Sequence, residues 1–233
     1  MQDEIRNVSV NSSDILKREE DRGSLLGSAI GYNYTYDTRT NGLNPLGGIL
    51  LRFGQDLYGV GGDVDYVATN ALAQYERRVV NEEVTLRATF EGGAINMIND
   101  GSTVNDRFFG NGKIRGFESN GIGPRDLTAV NQDALGGNFF AAVRLEADFP
   151  LGTPDEYGLR GGVFFDTGSV WSLNDTAGNG GPVDDSLKLR AVIGVSVFWT
   201  TPLGPLRFNF THALKKEDYD KEQTFDLTVS TNF

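Results

Sequence analysis

The stretch from Leu187 to Trp199, LKLRAVIGVSVFW, alternates with a period of two. One face reads Leu187, Leu189, Ala191, Ile193, Val195, Val197 and Trp199. The other reads Lys188, Arg190, Val192, Gly194, Ser196 and Phe198. A helix would scatter the apolar set around its axis, whereas a strand places all of it on one side. The pattern holds for about 13 residues, against about 5–6 for an ordinary strand. It recurs at Phe139 to Phe149, where Arg144, Glu146 and Asp148 oppose the apolar face. In Val84 to Ala94 the even positions are apolar or small, facing away from Thr85, Arg87, Thr89 and Glu91. In Leu206 to Leu214 they oppose Arg207, Asn209, Thr211 and Ala213.

Nine such segments cover approximately 24–38, 47–58, 64–79, 83–97, 138–149, 158–171, 186–200, 205–215 and 222–233. The two faces of 64–79 are the least separated, and a tenth strand is expected within 3–10. No segment sustains a capped helical stripe, so the expected class is all-β. Short connections (RTNGLNP, NEE, LGTPDEYG, TPLGP) alternate with a set holding the two longest, 98–137 and 172–185, in which 59–63 and 216–221 are short exceptions. Long two-faced strands joined alternately by short turns and longer loops predict an antiparallel transmembrane β-barrel, apolar face to lipid and polar face to the lumen. Tyr34, Tyr36, Tyr58, Trp171, Trp199 and Phe233 lie at strand ends, as interfacial girdles require. A soluble sandwich explains the alternation equally well, but not the strand length or the loop asymmetry.

Composition narrows the function classes. The formal net charge of -11 argues against nucleic acid as a partner. The absence of cysteine removes disulfides, cysteine zinc sites and cysteine nucleophiles. With 30 glycines and 11% aromatics the chain is not a disordered acidic tail. It has no run of 18 apolar residues, hence no membrane-spanning helix. The chain opens on the polar MQDEIRNVSVNSSD rather than a signal peptide, so an export address is expected outside this stretch. His212 is the sole histidine and lies in the apolar phase, which suits an interfacial position better than catalysis. Asp184–Asp185 and Glu217–Asp218 match no calcium loop and read as solvated charge, so no metal or cofactor is expected. GVGGD at 59–63 reads as a turn, because no helix follows it. The composition and motifs point away from an enzyme.

The segment NGKIRGFESNGIGPRDL (111–127) interrupts the strand pattern and sets Arg115 among turn-forming residues. This stretch resembles the sixth-loop motif of the BamA family of outer-membrane assembly factors. That family is related to two-partner-secretion transporters and to organellar import barrels. NPLGGILLRFGQDLYGVGGDVDY, GVFFDTGSVW, WTTPLGPLRFNFTHALKK and TFDLTVSTNF resemble further strands of the same family, in the same order. The resemblance covers residue 24 to the end. It implies a sixteen-strand barrel preceded by periplasmic POTRA domains. The nine or ten strands here would then be the C-terminal portion of that barrel, with 1–23 a partial strand and loop.

The resemblance also implies a loop, 98–137, folded into the lumen and anchored by Arg115, Gly116 and Phe117. The implied lumen partners are the carboxylates Glu146 and Asp166. The phase agrees, since each opposes the apolar face of its strand. In the last segment Phe225, Leu227, Val229 and Phe233 resemble the C-terminal signal strand of outer-membrane proteins. Ser230 stands where some members carry a glycine that kinks this strand inward, which puts that kink in doubt. The implied function is folding and inserting β-barrel proteins into the Gram-negative outer membrane. The implied partners are the lipid bilayer, substrate outer-membrane proteins and accessory lipoproteins. The alternatives are a polypeptide-secreting transporter of the same superfamily and a passive porin or structural barrel.

Overall fold

The computed structural model describes residues 2–39, 47–99, 101–201 and 204–229. Among them the chain runs through β1 (Gln2–Asp3), α1 (Asp14–Asp21), β2 (Leu25–Leu26), β3 (Ala29–Asp37), β4 (Gly47–Tyr58), β5 (Tyr66–Val79) and β6 (Val84–Met97). After a long loop follow β7 (Phe139–Pro150), β8 (Leu159–Trp171), β9 (Ala177–Gly178), β10 (Gly181–Pro182), β11 (Arg190–Thr201), β12 (Gly204–Lys215) and β13 (Phe225–Val229). Nine strands form one sheet in the order β13-β12-β11-β8-β7-β6-β5-β4-β3. With the small β9–β10 hairpin set aside, each strand pairs antiparallel with the next in the chain. The result is a meander of strands up to 14 residues long.

The register shows what the alternation does. Tyr75, Ala88, Leu145, Phe165, Ile193 and His212 stand in one row across six adjacent strands. Tyr75, Leu145 and Ile193 in that row are 48%, 46% and 48% exposed. Leu86, Phe90, Val163, Val195 and Phe210 extend the same uncovered face. A soluble protein rarely leaves so broad an apolar surface bare. A lipid-facing wall requires it, so the barrel reading prevails over the sandwich.

The opposite face carries the long loop. Ile114 and Ile122 of the loop pack with Phe140, Ala142, Phe164, Val170 and Val192 of the wall into a buried apolar cluster. This face is therefore partly dry where the loop lies on it.

At one end of the sheet the N-terminal segment docks on both long loops. Ile15 is fully buried against Leu135, Leu173 and Val183. Arg18 pairs with Asp175 at 2.6 Å, and Glu19 with the buried Arg107 at 2.6 Å. Asp126, 2% exposed, ties three segments together. It accepts from the Ser13 hydroxyl (2.8 Å), the Thr128 hydroxyl (2.6 Å) and the Asn179 N–H (2.8 Å).

Several local expectations are corrected. Helix α1 stands where no capped helix was expected. Its N-cap, Ser13, accepts from the Ile15 N–H. It runs eight residues, and the position one turn beyond Ile15 is Glu19, so a charged residue breaks the apolar stripe. The strand expected within 3–10 is reduced to Gln2–Asp3, which pairs with Leu25–Leu26 outside the main sheet. The segment 24–38 accordingly splits into β2 and β3. Strand β11 starts at Arg190 rather than 186, because the Lys188 N–H donates to the Ser169 hydroxyl (3.2 Å) and not to a ladder. Phe233 and Ser230 lie outside the described residues.

Both long loops leave the sheet at the same end, and the turns after β7 and β11 leave at the other. An impermeant maleimide on intact cells should label Ala177→Cys but not Thr153→Cys until the outer membrane is permeabilised. Equal labelling would contradict this topology. A second prediction concerns Asp126. Burial would raise its pKa, but hydrogen bonds from Thr128, Asn179 and Ser13 outweigh that and hold it at about 2. A carboxyl depressed below its unfolded value of 3.8 stabilises fully above that pH and loses its contribution as pH falls toward 2. Amide exchange of residues 9–22 should accelerate in that acid window. Asp126→Asn should accelerate it at neutral pH and flatten the acid dependence.

Candidate functional site

Strands β7 and β8 are adjacent, and alternation turns Glu146 and Asp166 to the polar face. Both are desolvated there: the Asp166 side chain is 0% exposed and that of Glu146 7%. Two buried carboxylates need donors. The long loop delivers one side chain to both.

Arg115 forks onto Asp166, with Nε on Oδ2 at 2.7 Å and Nη2 on Oδ1 at 2.6 Å. Its own backbone N–H adds a third bond to Oδ2 at 3.0 Å. The remaining Nη1 reaches Glu146 Oε2 at 2.6 Å. The planar fork fits this two-carboxylate seat, which a point-charge ammonium cannot fill. Phe164, between the two carboxylates on the same face, presents its ring 3.6 Å from the guanidinium carbon. Gly116 follows with φ of 86°. A Cβ there would lie 3.0 Å from Val192 Cγ1 and 3.2 Å from Thr211 Cβ. Only glycine fits both the backbone angle and the gap. Phe117 is partly buried against the apolar cluster beneath the loop.

The seat extends beyond these residues. Arg87, directly across from Glu146 on β6, donates to its Oε1 at 2.7 Å and to Glu76 at 2.8 Å. Arg207 of β12 reaches across β11 and β8 to the same carboxylate, with its guanidinium 4.8 Å from the Phe198 ring. Glu146 thus accepts from three arginines on three separate segments. A second cluster holds the loop stem: Glu91 pairs with Lys113 and, at 3.0 Å, with Arg144. Arg144 also donates to the carbonyls of Gly112 (3.2 Å) and Lys113 (3.3 Å). A third pair, Arg190 with Asp220 at 2.8 Å, is buried beside Tyr219.

Inward phase placed Arg87, Arg144 and Arg207 on the right face, yet gave no partners. Partners depend on register and curvature. Arg144 shows this well, because it stands directly opposite Asp166 in the ladder but bonds elsewhere. Arg190–Asp220 carried no signal, since Asp220 sits in a connection without periodicity. Phe225, Leu227 and Val229 lie on the apolar face, 47%, 48% and 55% exposed. Phe225 packs against Phe210 of β12 at 5.3 Å between ring centroids.

Comparison with known proteins places this geometry. Residues 2–233 match the Omp85 superfamily domain. An outer membrane protein assembly factor BamA from Neorickettsia risticii is 32% identical over 91% of this chain and 28% of that protein. A human sorting and assembly machinery component 50 homolog is 31% identical over 72% of this chain and 36% of that protein. The crystal structure of BamA from Haemophilus ducreyi lacking POTRA domains 1-3 superposes with a TM-score of 0.74 at 21% identity, covering 88% of this chain and 42% of the other. The chain thus spans about a third of the curated relatives' length. With its all-β meander and full-length domain match, the chain belongs to the Omp85 superfamily.

Proposed function

We propose that this chain is the C-terminal part of an outer-membrane barrel that folds and inserts other β-barrel proteins into the Gram-negative outer membrane. One observation carries the reading: similarity to outer-membrane assembly factors runs through nearly the whole chain, and the loop motif with its two wall carboxylates falls inside it. The partners are the lipid bilayer, unfolded outer-membrane proteins and accessory lipoproteins. No covalent step is involved. The work is physical: an exposed strand edge templates pairing of an incoming strand, while a barrel wall mismatched to the bilayer thins it locally.

In this reading Arg115, Gly116 and Phe117 are the loop anchor, with Glu146 and Asp166 as its seat. The 1–23 segment is a partial strand and loop, holding helix α1, that leads into the barrel portion 24–233. Phe225, Leu227, Val229 and Phe233 carry the C-terminal signal by which the protein itself is assembled.

The direct test reconstitutes the intact protein in liposomes and follows the folding of an unfolded β-barrel substrate by protease resistance. Acceleration over empty liposomes is expected. Conductance or passenger export without any acceleration would instead favour a porin or a secretion transporter. The anchor is tested by stability. Removing Arg115 leaves Asp166 buried and unpaired, so Arg115→Ala should lower barrel stability by about 3 kcal/mol. Arg115→Lys should restore only part of this. Asp166→Asn should cost a similar amount, and the double variant less than the sum of both, measured by thermal unfolding in detergent.

A further inference from the structure

The tip of the long loop touches more than the wall. Immediately beyond Arg115 it lies antiparallel to residues 221–223, the segment that feeds β13. Phe117 and Glu222 face each other in an isolated bridge. The Gln223 N–H donates to Gly116 O at 3.0 Å, and the Glu118 N–H to Lys221 O at 2.9 Å. The Lys221 N–H returns to Gly121 O at 3.0 Å. The tip is folded tightly to present these groups: the Gly121 N–H bonds Glu118 O at 2.8 Å, and a Cβ on Gly121 would sit 2.8 Å from Lys221 O. Gln223 and Thr224 also join the feeding segment to β12, through Thr211 Oγ1 to Gln223 O (2.8 Å) and Thr211 N to Thr224 O (2.9 Å). Only then does β13 pair, with 225–229 against 206–210 among the described residues.

We infer that the loop tip is a clasp on the base of β13, so that the seat of Arg115 on Asp166 and Glu146 controls how firmly the final strand is held. The two halves of the clasp cannot be independent. Arg115 and Gly116 are consecutive, and Gly116 is wedged between Val192 and Thr211, so the tip cannot lift off the wall while keeping its bonds to 221–223. Among the described residues β13 is an edge strand with a neighbour on one side only, and such a strand is among the first to open locally. The clasp adds backbone bonds at the ladder's start, where fraying would begin. Coupling of this kind is reciprocal: pulling β13 away should also loosen the tip. The inference stands on this geometry and holds whether or not the chain inserts barrel proteins.

Hydrogen exchange read by mass spectrometry, on the intact protein in lipid nanodiscs, tests it. Arg115→Ala loosens the seat, and Glu118→Pro deletes one clasp donor without touching the seat. Each should speed exchange of residues 225–229 about tenfold or more beyond any change seen in β5 and β6, as expected for local opening that no longer breaks the clasp. A third variant avoids any folding defect. The hydrogen bonds flank the Phe117–Glu222 pair rather than join it, which is the close-spaced antiparallel geometry that accepts a disulfide. The chain has no other cysteine to interfere. Oxidised Phe117→Cys/Glu222→Cys should slow exchange of 225–229 and keep it slow when Arg115→Ala is added. If Arg115→Ala exposes 110–121 yet leaves 225–229 unchanged, or if the oxidised pair does not slow 225–229, the coupling is refuted.

Discussion

In hydrocarbon no water is present to satisfy a peptide group, and this constraint shapes the whole chain. Every N–H and C=O of a spanning segment must find a partner in the next strand. The strands are therefore long, antiparallel and joined in a meander, since each needs full-length neighbours on both sides. Among the described residues β3 and β13 are the edges of the nine-stranded sheet. Bare edges of this length invite pairing with other chains. The same property that makes an unpaired edge hazardous makes it usable as a template for an incoming strand.

The same wall has to hold charge. Its polar face brings Arg87, Arg115 and Arg207 against Glu76, Glu146 and Asp166. Asp166 and Glu146, whose side chains are nearly closed to water, are stable as charges only when paired, and breaking a pair leaves the carboxylate stranded. Glu146, with three arginines around it, ties β6, the long loop and β12 together at one point. The loop is held by geometry of two kinds: the guanidinium fork at Arg115 and the apolar cluster that dries the wall beneath it. Neither alone accounts for the fit. Phe164 contributes to both, packing in the cluster while its ring lies over the guanidinium.

The end of the sheet that carries both long loops follows another logic. Helix α1 carries too few apolar residues to be stable by itself, and eight residues are short for an isolated helix. It exists because Ser13 caps it, Ile15 finds a pocket between two loops, and Glu19 finds Arg107. All of these partners are more than 80 residues away in the chain, apart from the cap itself. No local pattern encodes such a helix.

The sequence by itself determined the all-β class, the strand limits to within a few residues and the face on which each side chain lies. Period-two alternation is a local property, and lipid on one side enforces it at every step. Phase alone therefore turned Arg87, Glu146, Asp166 and Arg207 to the polar face. It could not say which of them meet. Register pairs Asp166 with Arg144, yet the structure gives Asp166 to Arg115, from a loop with no period at all. The resemblance of motifs supplied that pairing where the pattern could not. Helix α1, the Arg190–Asp220 pair and the contact of the loop tip with residues 221–223 were legible in neither way. Each involves at least one aperiodic segment, and contacts made through space leave no regular trace along a chain.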